Sequence, residues 1–319
     1  MTRPRSLVVA AALTLALLPA STAPALAGHG SDHHRDRGPA QIDLPVGWQP
    51  EGVTTDRRYV FSGSLATGAI LRANPRTGKT KVLPESATGK PAVGIDYDKQ
   101  RDVIWVAGGP TGEVRAQDAR TGRLLATYTA PPAAGRFVND LVVTRHAVYA
   151  TDSFNQELLV VPLTSRHGVP PSGATDTLPL TGDIAFVPNE FNANGIVSTK
   201  QGSLVVVQSN KGLLFRVDRA TGEARTVDLG GTLVTNGDGL ELDHRTLYVV
   251  QNQGNVAVVH LARNTLSGEV VDNLTNPNFD VATTGALVHH SLWVANARFG
   301  VPDPANAEFW LTRVPVPHD

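Results

Sequence analysis

The stretch Asn236-Gly237-Asp238-Gly239-Leu240 lies just before a short apolar segment, and altered forms of it recur along the chain. We call the aligned four-residue stretches the ring segments; they are residues 50–53, 92–95, 138–141, 193–196, 237–240 and 283–286. Their second positions are separated by 42, 46, 55, 44 and 46 residues. Repeats of this length are typical of β-propellers, in which each blade is a sheet of four antiparallel strands. The spacing therefore predicts an all-β, six-bladed propeller.

The second position of the ring segments is rich in oxygen-bearing side chains. In chain order it is occupied by Glu51, Val93, Asn139, Asn194, Asp238 and Thr284. Equivalent positions of a closed propeller surround its central channel, so the four carboxylate and amide side chains are expected to meet at one point. Such oxygen donors suit a hard cation, which predicts one divalent ion, with Ca²⁺ preferred and Mg²⁺ or Mn²⁺ as alternatives. A purely structural interpretation also exists, because Asn and Asp beside Gly are common turn residues.

Short runs of β-branched and aromatic residues follow the ring segments and predict buried strands, for example at 104–106 and 292–294. Three stretches that begin with Asp or Asn and end with Gly predict hairpin turns, at 74–78, 118–122 and 218–222. The sixth repeat has no fourth strand after residues 310–314, whereas residues 41–45 resemble one. We therefore expect the ring to be closed by pairing of the N- and C-terminal strands, which removes an exposed sheet edge.

The N-terminal residues have the features of an export signal. Arg3 and Arg5 precede an apolar run, and Ala25-Leu26-Ala27 provides a small-residue cleavage pattern. We expect residues 1–27 to be a signal peptide, residues 28–40 to be a disordered leader containing several His, and residues 41–319 to form a single propeller domain. The leader could alternatively scavenge metal ions through its His side chains. The mature protein is expected to be secreted.

Composition excludes some classes of partner. The formal net charge is −1, which does not suit a nucleic-acid-binding surface. The chain contains no Cys, so neither a disulfide framework nor a lipid anchor on Cys is expected. We expect a monomer that acts on a small molecule, without a membrane anchor.

Two connections are long for this repeat pattern, at 180–192 and 297–308. In a propeller they open on the face where the ring positions lie. They are interpreted either as the lining or lid of a substrate pocket, or as neutral insertions.

The motifs Pro-Glu-Gly at 50–52, Asn-Asp at 139–140, Asn-Gly-Ile at 194–196 and Asp-Gly-Leu at 238–240 occur in a fixed order and phase. In these motifs the chain resembles the senescence marker protein, gluconolactonase and luciferin-regenerating enzyme family of six-bladed propellers, over roughly residues 42–316. The resemblance implies that Glu51, Asn139, Asn194 and Asp238 bind a divalent metal in the channel. It also implies hydrolysis of a lactone or ester.

Asp238 is the expected general base in such a reaction, because a carboxylate beside the attacked carbon can activate water. Three further residues are expected at the substrate rim or behind the metal ligands: Arg136, Asp152 and Thr284. Asp152 can alternatively be read as a strand-ending turn residue.

The chain also departs from the family pattern. Gluconolactonases carry an Arg two residues before the first metal-binding Asn, whereas Arg136 lies three residues before Asn139, so a sugar-lactone substrate is not implied. No His occupies the ring column, and we interpret His289 and His290 as turn or surface residues on the opposite face. The alternative to an enzyme is a non-catalytic binding propeller whose metal ion is structural.

Overall fold

The computed structural model describes residues 38–316, and every regular element in this range is a β-strand. The predicted signal peptide and most of the predicted leader lie outside the described residues. Six sheets are present, one for each predicted repeat, which confirms the all-β, six-bladed propeller. Within residues 38–316, no helix is long and apolar enough to cross a membrane.

The first, third and fifth blades have four antiparallel strands each. The first contains β2 (Pro50–Thr55), β3 (Val60–Ser64), β4 (Ile70–Ala73) and β5 (Thr80–Val82). The third contains β10 (Val138–Val143), β11 (Ala147–Asp152), β12 (Glu157–Pro162) and β14 (Asp176–Pro179). The fifth contains β20 (Gly237–Asp243), β21 (Thr246–Gln251), β22 (Asn255–Leu261) and β23 (Gly268–Thr275).

The second and fourth blades differ from the expected four strands, because each gains a two-residue strand that pairs in parallel with its outer edge. The second contains β6 (Ile95–Asp98), β7 (Val103–Ala107), β8 (Glu113–Asp118), β9 (Leu124–Thr129) and the added β13 (Gly173–Ala174). The fourth contains the added β15 (Thr181–Gly182), then β16 (Ala193–Ser198), β17 (Leu204–Gln208), β18 (Leu213–Val217) and β19 (Glu223–Thr226). β13 comes from the connection between the third and fourth strands of the third blade, and β15 comes from the connection between the third and fourth blades. Both connections therefore also cover sheet edges.

The sixth blade is built from both ends of the described chain. It contains β24 (Ala282–Val288), β25 (Ser291–Asn296), β26 (Trp310–Pro315) and β1 (Gln41–Asp43). β1 pairs antiparallel with β26, with Ile42 opposite Leu311. The predicted closure of the ring is therefore confirmed.

Six apolar cores hold the blades together, one at each interface between neighbouring blades. Successive side chains of a strand point to opposite faces of its sheet. Trp105 of β7 thus packs towards the third blade, while Ile104 and Val106 pack towards the first. Because both faces are covered, the whole of β7 is buried, which explains why such strands read as unbroken apolar runs.

Candidate functional site

The ring segments lie on the first strands of the blades, and the first strands of neighbouring blades contact each other around the channel. In five blades the pairing between first and second strands shifts register within the ring segment. In the fifth blade, for example, Gly237 pairs with Gln251 and Leu240 pairs with Val249. Bulges of this kind redirect a side chain out of the normal alternation of a strand. They position the second residue of the ring segment, here Asp238, at the channel.

Glycine at the third position of a ring segment allows neighbouring blades to approach at backbone distance. A Cβ atom on Gly195 would lie 2.2 Å from the carbonyl oxygen of Asp238. A Cβ atom on Gly52 would lie 2.3 Å from the carbonyl oxygen of Val93, to which the Gly52 N–H donates a hydrogen bond of 3.1 Å. The glycines therefore bring the second-position side chains of adjacent blades close together.

One cavity, of about 620 Å³, brings the four predicted ligands together. It is lined by Glu51, Leu65, Val93, Phe137, Asn139, Glu190, Phe191, Asn194, Ser209, Asn210, Asn236, Asp238, Asn252 and Phe299. The four ligand candidates are all buried, at 4–6% exposure. We call these four residues the ring set. Five further lining residues are also polar, but most of the accessible surface of the cavity is apolar.

Two oxygen atoms of the ring set are buried without a hydrogen-bond partner among the described residues. They are Oε2 of Glu51 and Oδ1 of Asn194. Leaving a buried acceptor unsatisfied typically costs about 1–3 kcal/mol, and more for a charged group. The donor set therefore fits a cation that prefers carboxylate and amide oxygens. By contrast, no group of three or more His, Cys, Asp and Glu side chains within residues 38–316 is arranged to hold a metal ion.

The two carboxylates of the ring set are electrostatically unfavourable as they stand. Burial raises the pKa of Glu51 well above its usual value, and the charges of Asp238 and Asp140 raise it further. Burial also raises the pKa of Asp238 to about 7, although hydrogen bonds from Asn252 and Asn194 act in the opposite direction. A positive charge in the cavity would offset the cost of keeping both groups ionised.

Asn252 and Ser153 form hydrogen bonds with the ring set but were not among the site residues predicted from the sequence. Nδ2 of Asn252 donates to Oδ2 of Asp238 at 2.6 Å and to the carbonyl oxygen of Ala282 at 2.9 Å. Nδ2 of Asn139 donates to Oγ of Ser153 at 2.9 Å. Asn252 and Ser153 each directly follow the second strand of their blade, so the same repeat alignment contains a second column that could have identified them.

Arg136 and Asp152 lie behind the cavity wall and are absent from the described lining. Nη1 of Arg136 lies 2.7 Å from Oδ2 of Asp152, and Nη2 lies 2.9 Å from Oε1 of Glu157. Oδ1 of Asp152 accepts hydrogen bonds from the backbone N–H groups of Phe137, Phe154 and Asn155. Asp152 thus ends β11 in a turn and fixes the backbone beside Phe137.

Thr284 does not reach the cavity of the ring set. It lines a smaller space of about 230 Å³, together with Asp96, Asp140 and Glu241. An adjoining cavity shares Asp96 and Glu241 and includes His289, which lies in the turn between β24 and β25. Its place beside this acidic cluster, and not beside the ring set, fits the expectation that His289 lies on the opposite face.

The two long connections contribute aromatic side chains to the cavity. Residues 180–192 supply Phe191, and residues 297–308 supply Phe299. The ring centre of Phe191 lies 5.3 Å from that of Phe137 and 4.8 Å from that of Phe154. Of the two interpretations of these connections, the structure supports the lining of a pocket.

No protein-family model matches the chain, and no curated protein matches its sequence. Solved structures do match its fold. A gluconolactonase from Xanthomonas campestris superposes with a TM-score of 0.56 and 16% identity, over 87% of this chain and 88% of that one. A luciferin-regenerating enzyme superposes with a TM-score of 0.58 and 14% identity, over 88% and 93% of the two chains. The chain has the fold of these propellers.

The resemblance predicted from the ring segments is thus confirmed in the fold. The same fold also occurs in the allergen Mala s 1 from Malassezia sympodialis, with a TM-score of 0.61 and 13% identity over 86% of this chain and 96% of that one. A virginiamycin B lyase from Staphylococcus aureus matches with a TM-score of 0.57 and 13% identity, over 88% and 89% of the two chains. Proteins of different names share this architecture, so function has to be argued from the cavity.

Proposed function

We propose that this protein is an exported, divalent-metal-dependent hydrolase of lactones or other carboxylic esters. The observation that carries the proposal is the pair of unpartnered buried oxygens, on Glu51 and Asn194, in a cavity that also contains Asn139 and Asp238. A cavity with carboxylate and amide oxygens that can bind a metal ion, next to an apolar wall, suits a substrate with one polar reacting group. The gluconolactonase among the structural neighbours adds weight to the choice of a lactone or ester.

Glu51, Asn139, Asn194 and Asp238 would hold the cation, with Ca²⁺ as the natural ion and Mg²⁺ or Mn²⁺ as substitutes. When bound, the cation would polarise the substrate carbonyl and stabilise negative charge that develops on its oxygen. Asn252 restrains the carboxyl of Asp238 and Ser153 restrains the amide of Asn139, so both donors are oriented before a ligand arrives.

Asp238 is assigned the role of general base. It takes a proton from a water molecule whose oxygen attacks the acyl carbon of the substrate. The bond between the acyl carbon and the ring or ester oxygen then breaks, and the proton passes to the departing alkoxide. A lactone therefore yields a hydroxy acid, with one water molecule consumed and no change in oxidation state. The bound cation would keep the carboxyl of Asp238 ionised and therefore able to accept this proton.

The virginiamycin B lyases among the structural neighbours give no reason to propose a lyase function for this chain. One of them is a catalytically inactive form of virginiamycin B lyase in which a histidine is replaced by alanine. No His is among the described residues that line the cavity of the ring set. The side chains present fit proton transfer by a carboxylate.

The test is a hydrolysis screen of lactones and aryl esters with and without a chelator, followed by Asp238→Asn at saturating Ca²⁺. Asn keeps an oxygen donor but cannot accept the proton, so turnover is expected to fall by roughly 10²–10⁴-fold. Asp176→Asn, on an exposed part of β14, is the matched control and should leave turnover unchanged. Full activity of Asp238→Asn would make Asp238 a ligand only. If the parent hydrolyses nothing, the non-catalytic binding propeller is the better reading.

Export is tested separately, by expressing the full chain in a host with a general secretion pathway and sequencing the N-terminus of the secreted protein. A mature N-terminus at Gly28 is expected from the cleavage pattern that ends at Ala27. Retention of the uncleaved chain inside the cell would contradict the export part of the proposal.

A further inference from the structure

We infer that the substrate is electrically neutral and carries a large apolar substituent, for which an aromatic ring is the best fit. This substituent binds against Phe137, Phe191 and Phe299, while the carbonyl group of the substrate faces the ring set. The inference rests on the proposed function for the carbonyl end of the substrate only. The apolar end is argued from the cavity wall itself.

The charge of the cavity selects against anionic substrates. Among the described residues that line it, three are carboxylic acids, Glu51, Glu190 and Asp238, and none is Lys, Arg or His. A single divalent cation would not neutralise three carboxylates. The neighbouring cation Arg136 is 8% exposed and is already paired with Asp152 and Glu157. Because the substrate carbonyl would face the cation, a carboxylate or phosphate elsewhere on the substrate would find no cationic side chain in the described lining, at a cost in binding.

Part of the cavity wall is apolar surface that remains exposed to solvent in the protein alone. Phe191 is 48% exposed and Phe299 is 53% exposed, although both line the cavity. Leu65 and Val93 also contribute apolar surface to the cavity. An aromatic substituent placed here would cover the two Phe rings and gain from burial and from edge-to-face contacts.

Phe191 is held in place before a ligand binds. Its own ring contacts the rings of Phe137 and Phe154. The next residue, Asn192, is 1% exposed and fastens the connection that carries Phe191. Nδ2 of Asn192 donates to the carbonyl oxygens of Val187 and Glu190, at 2.9 and 2.7 Å, and its Oδ1 accepts from the N–H of Val187 at 2.7 Å. A preformed wall reduces the ordering cost of binding an apolar group.

The test uses the Ca²⁺-loaded mature protein and three cyclic ketones that cannot be hydrolysed. They are 3-phenylcyclopentanone, its para-carboxyphenyl analogue and 3-hydroxycyclopentanone, and calorimetry measures their Kd values. The phenyl ketone is expected to bind at least about 10-fold more tightly than each of the other two, because it alone is both apolar and neutral. Equal or tighter binding of the carboxyphenyl ketone, or failure of the phenyl ketone to bind, would overturn the inference.

Variants then locate the wall. Phe191→Ala and, from the other connection, Phe299→Ala should each weaken binding of the phenyl ketone by about 5- to 20-fold and change the hydroxy ketone by less than about 2-fold. Leu124→Ala, an exposed apolar residue on β9, is the matched control. If both Phe variants bind the phenyl ketone like the parent, the inference is wrong. Selective ketone binding without hydrolysis of any lactone or ester would instead contradict the proposed function and leave this inference standing.

Discussion

Asn252 shows how one side chain prepares a ligand for its role. It binds both Oδ2 of Asp238 and the carbonyl oxygen of Ala282 in the next blade, so it fixes Asp238 relative to two blades. Asn252→Ala should lower the affinity for Ca²⁺ by about 10- to 100-fold, the usual effect of removing a residue that orients a metal ligand. Calorimetric titration with Ca²⁺ provides the measurement. Asn255→Ala, a nearby Asn that bonds Gln251 and Asn273, should bind Ca²⁺ as the parent does.

The ring set itself makes a stricter prediction about the metal. The parent should bind about one divalent ion per chain, by elemental analysis and calorimetry. The double variant Glu51→Gln with Asp238→Asn removes both negative charges and should abolish this binding. Unchanged stoichiometry and affinity in the double variant would show that the ion is bound elsewhere.

Gly195 tests the close approach of the blades. Gly195→Ala places a Cβ atom 2.2 Å from the carbonyl oxygen of Asp238, a contact that only a backbone shift can relieve. We expect the variant to be less stable by about 1–3 kcal/mol, the range for overpacking, and to bind Ca²⁺ more weakly. Urea denaturation measures the first effect. Gly173→Ala, where the nearest atom would lie 4.0 Å away, is the control, and equal stability of the two variants would be inconsistent with this packing.

At the scale of elements, β1 is short but carries part of the core between the sixth and first blades. Ile42 and Leu44 are buried there beside Trp48. A chain that begins at Val46 lacks β1 and therefore exposes the edge of β26. A chain that begins at Gly38 retains β1, so this edge stays covered. The melting temperature of the shorter chain should be lower by something of the order of 10 °C, from the loss of two buried aliphatic side chains. Equal melting temperatures would refute the role of β1.

Several elements could be predicted because local chemistry alone determines them. Asp118 and Asp218 accept backbone hydrogen bonds within their turns, and Gly122 and Gly222 adopt the positive φ angles that the turns require. β13 and β15 could not be predicted, because each has two residues and exists only through pairing with the outer strand of a blade, β9 or β19. The bulges could not be predicted for a related reason, since a bulge is a property of a strand pair and not of one strand.

At the scale of the whole molecule, the second acidic cluster makes stability depend on pH. Burial raises the pKa of Glu241 to about 8 from its usual 4.5, and the charge of Asp96 adds to the effect. The same cavity contains Asp140, whose pKa burial raises to about 8, while burial raises that of Asp96 to about 6. Between pH 4.5 and 8 the folded protein therefore retains protons that the unfolded chain releases. Stability is greatest at the acidic end of this window and falls as the pH rises through it.

Glu241→Gln should flatten this dependence, because Gln stays neutral and still accepts from the backbone N–H of Leu287. The melting temperature of the variant relative to the parent should rise progressively from pH 5 to pH 8.5, by roughly 2–4 °C for each kcal/mol gained. Asp96 and Asp140 remain, so some slope should persist. Glu269→Gln, on an exposed part of β23, should follow the parent at every pH. A constant difference between Glu241→Gln and the parent would contradict this account.

The whole ring could be predicted from the sequence because six equivalent blades repeat the same constraint. Each ring segment needs a close backbone approach and a particular side chain at the channel, and both requirements recur in the sequence at intervals of 42 to 55 residues. The cavity wall leaves no such trace, since Phe191 and Phe299 belong to connections that occur once each. Their convergence with Phe137 depends on the lengths and courses of these two connections, which only the three-dimensional structure provides.

The pairing of β1 with β26 has a consequence for circular permutation. The carbonyl oxygen of Ala40 accepts a hydrogen bond of 2.8 Å from the N–H of Arg313, so the two ends of the described chain lie side by side. A short linker could join them, and new termini could be opened at Gly230 and Gly231, which are exposed and have no neighbouring atoms around their missing Cβ positions. The sixth blade would then be continuous in sequence, and the seam of the ring would move to a boundary between two blades. Comparing the unfolding rates of the two forms would separate the contribution of chain connectivity from that of the side chains, which are the same in both.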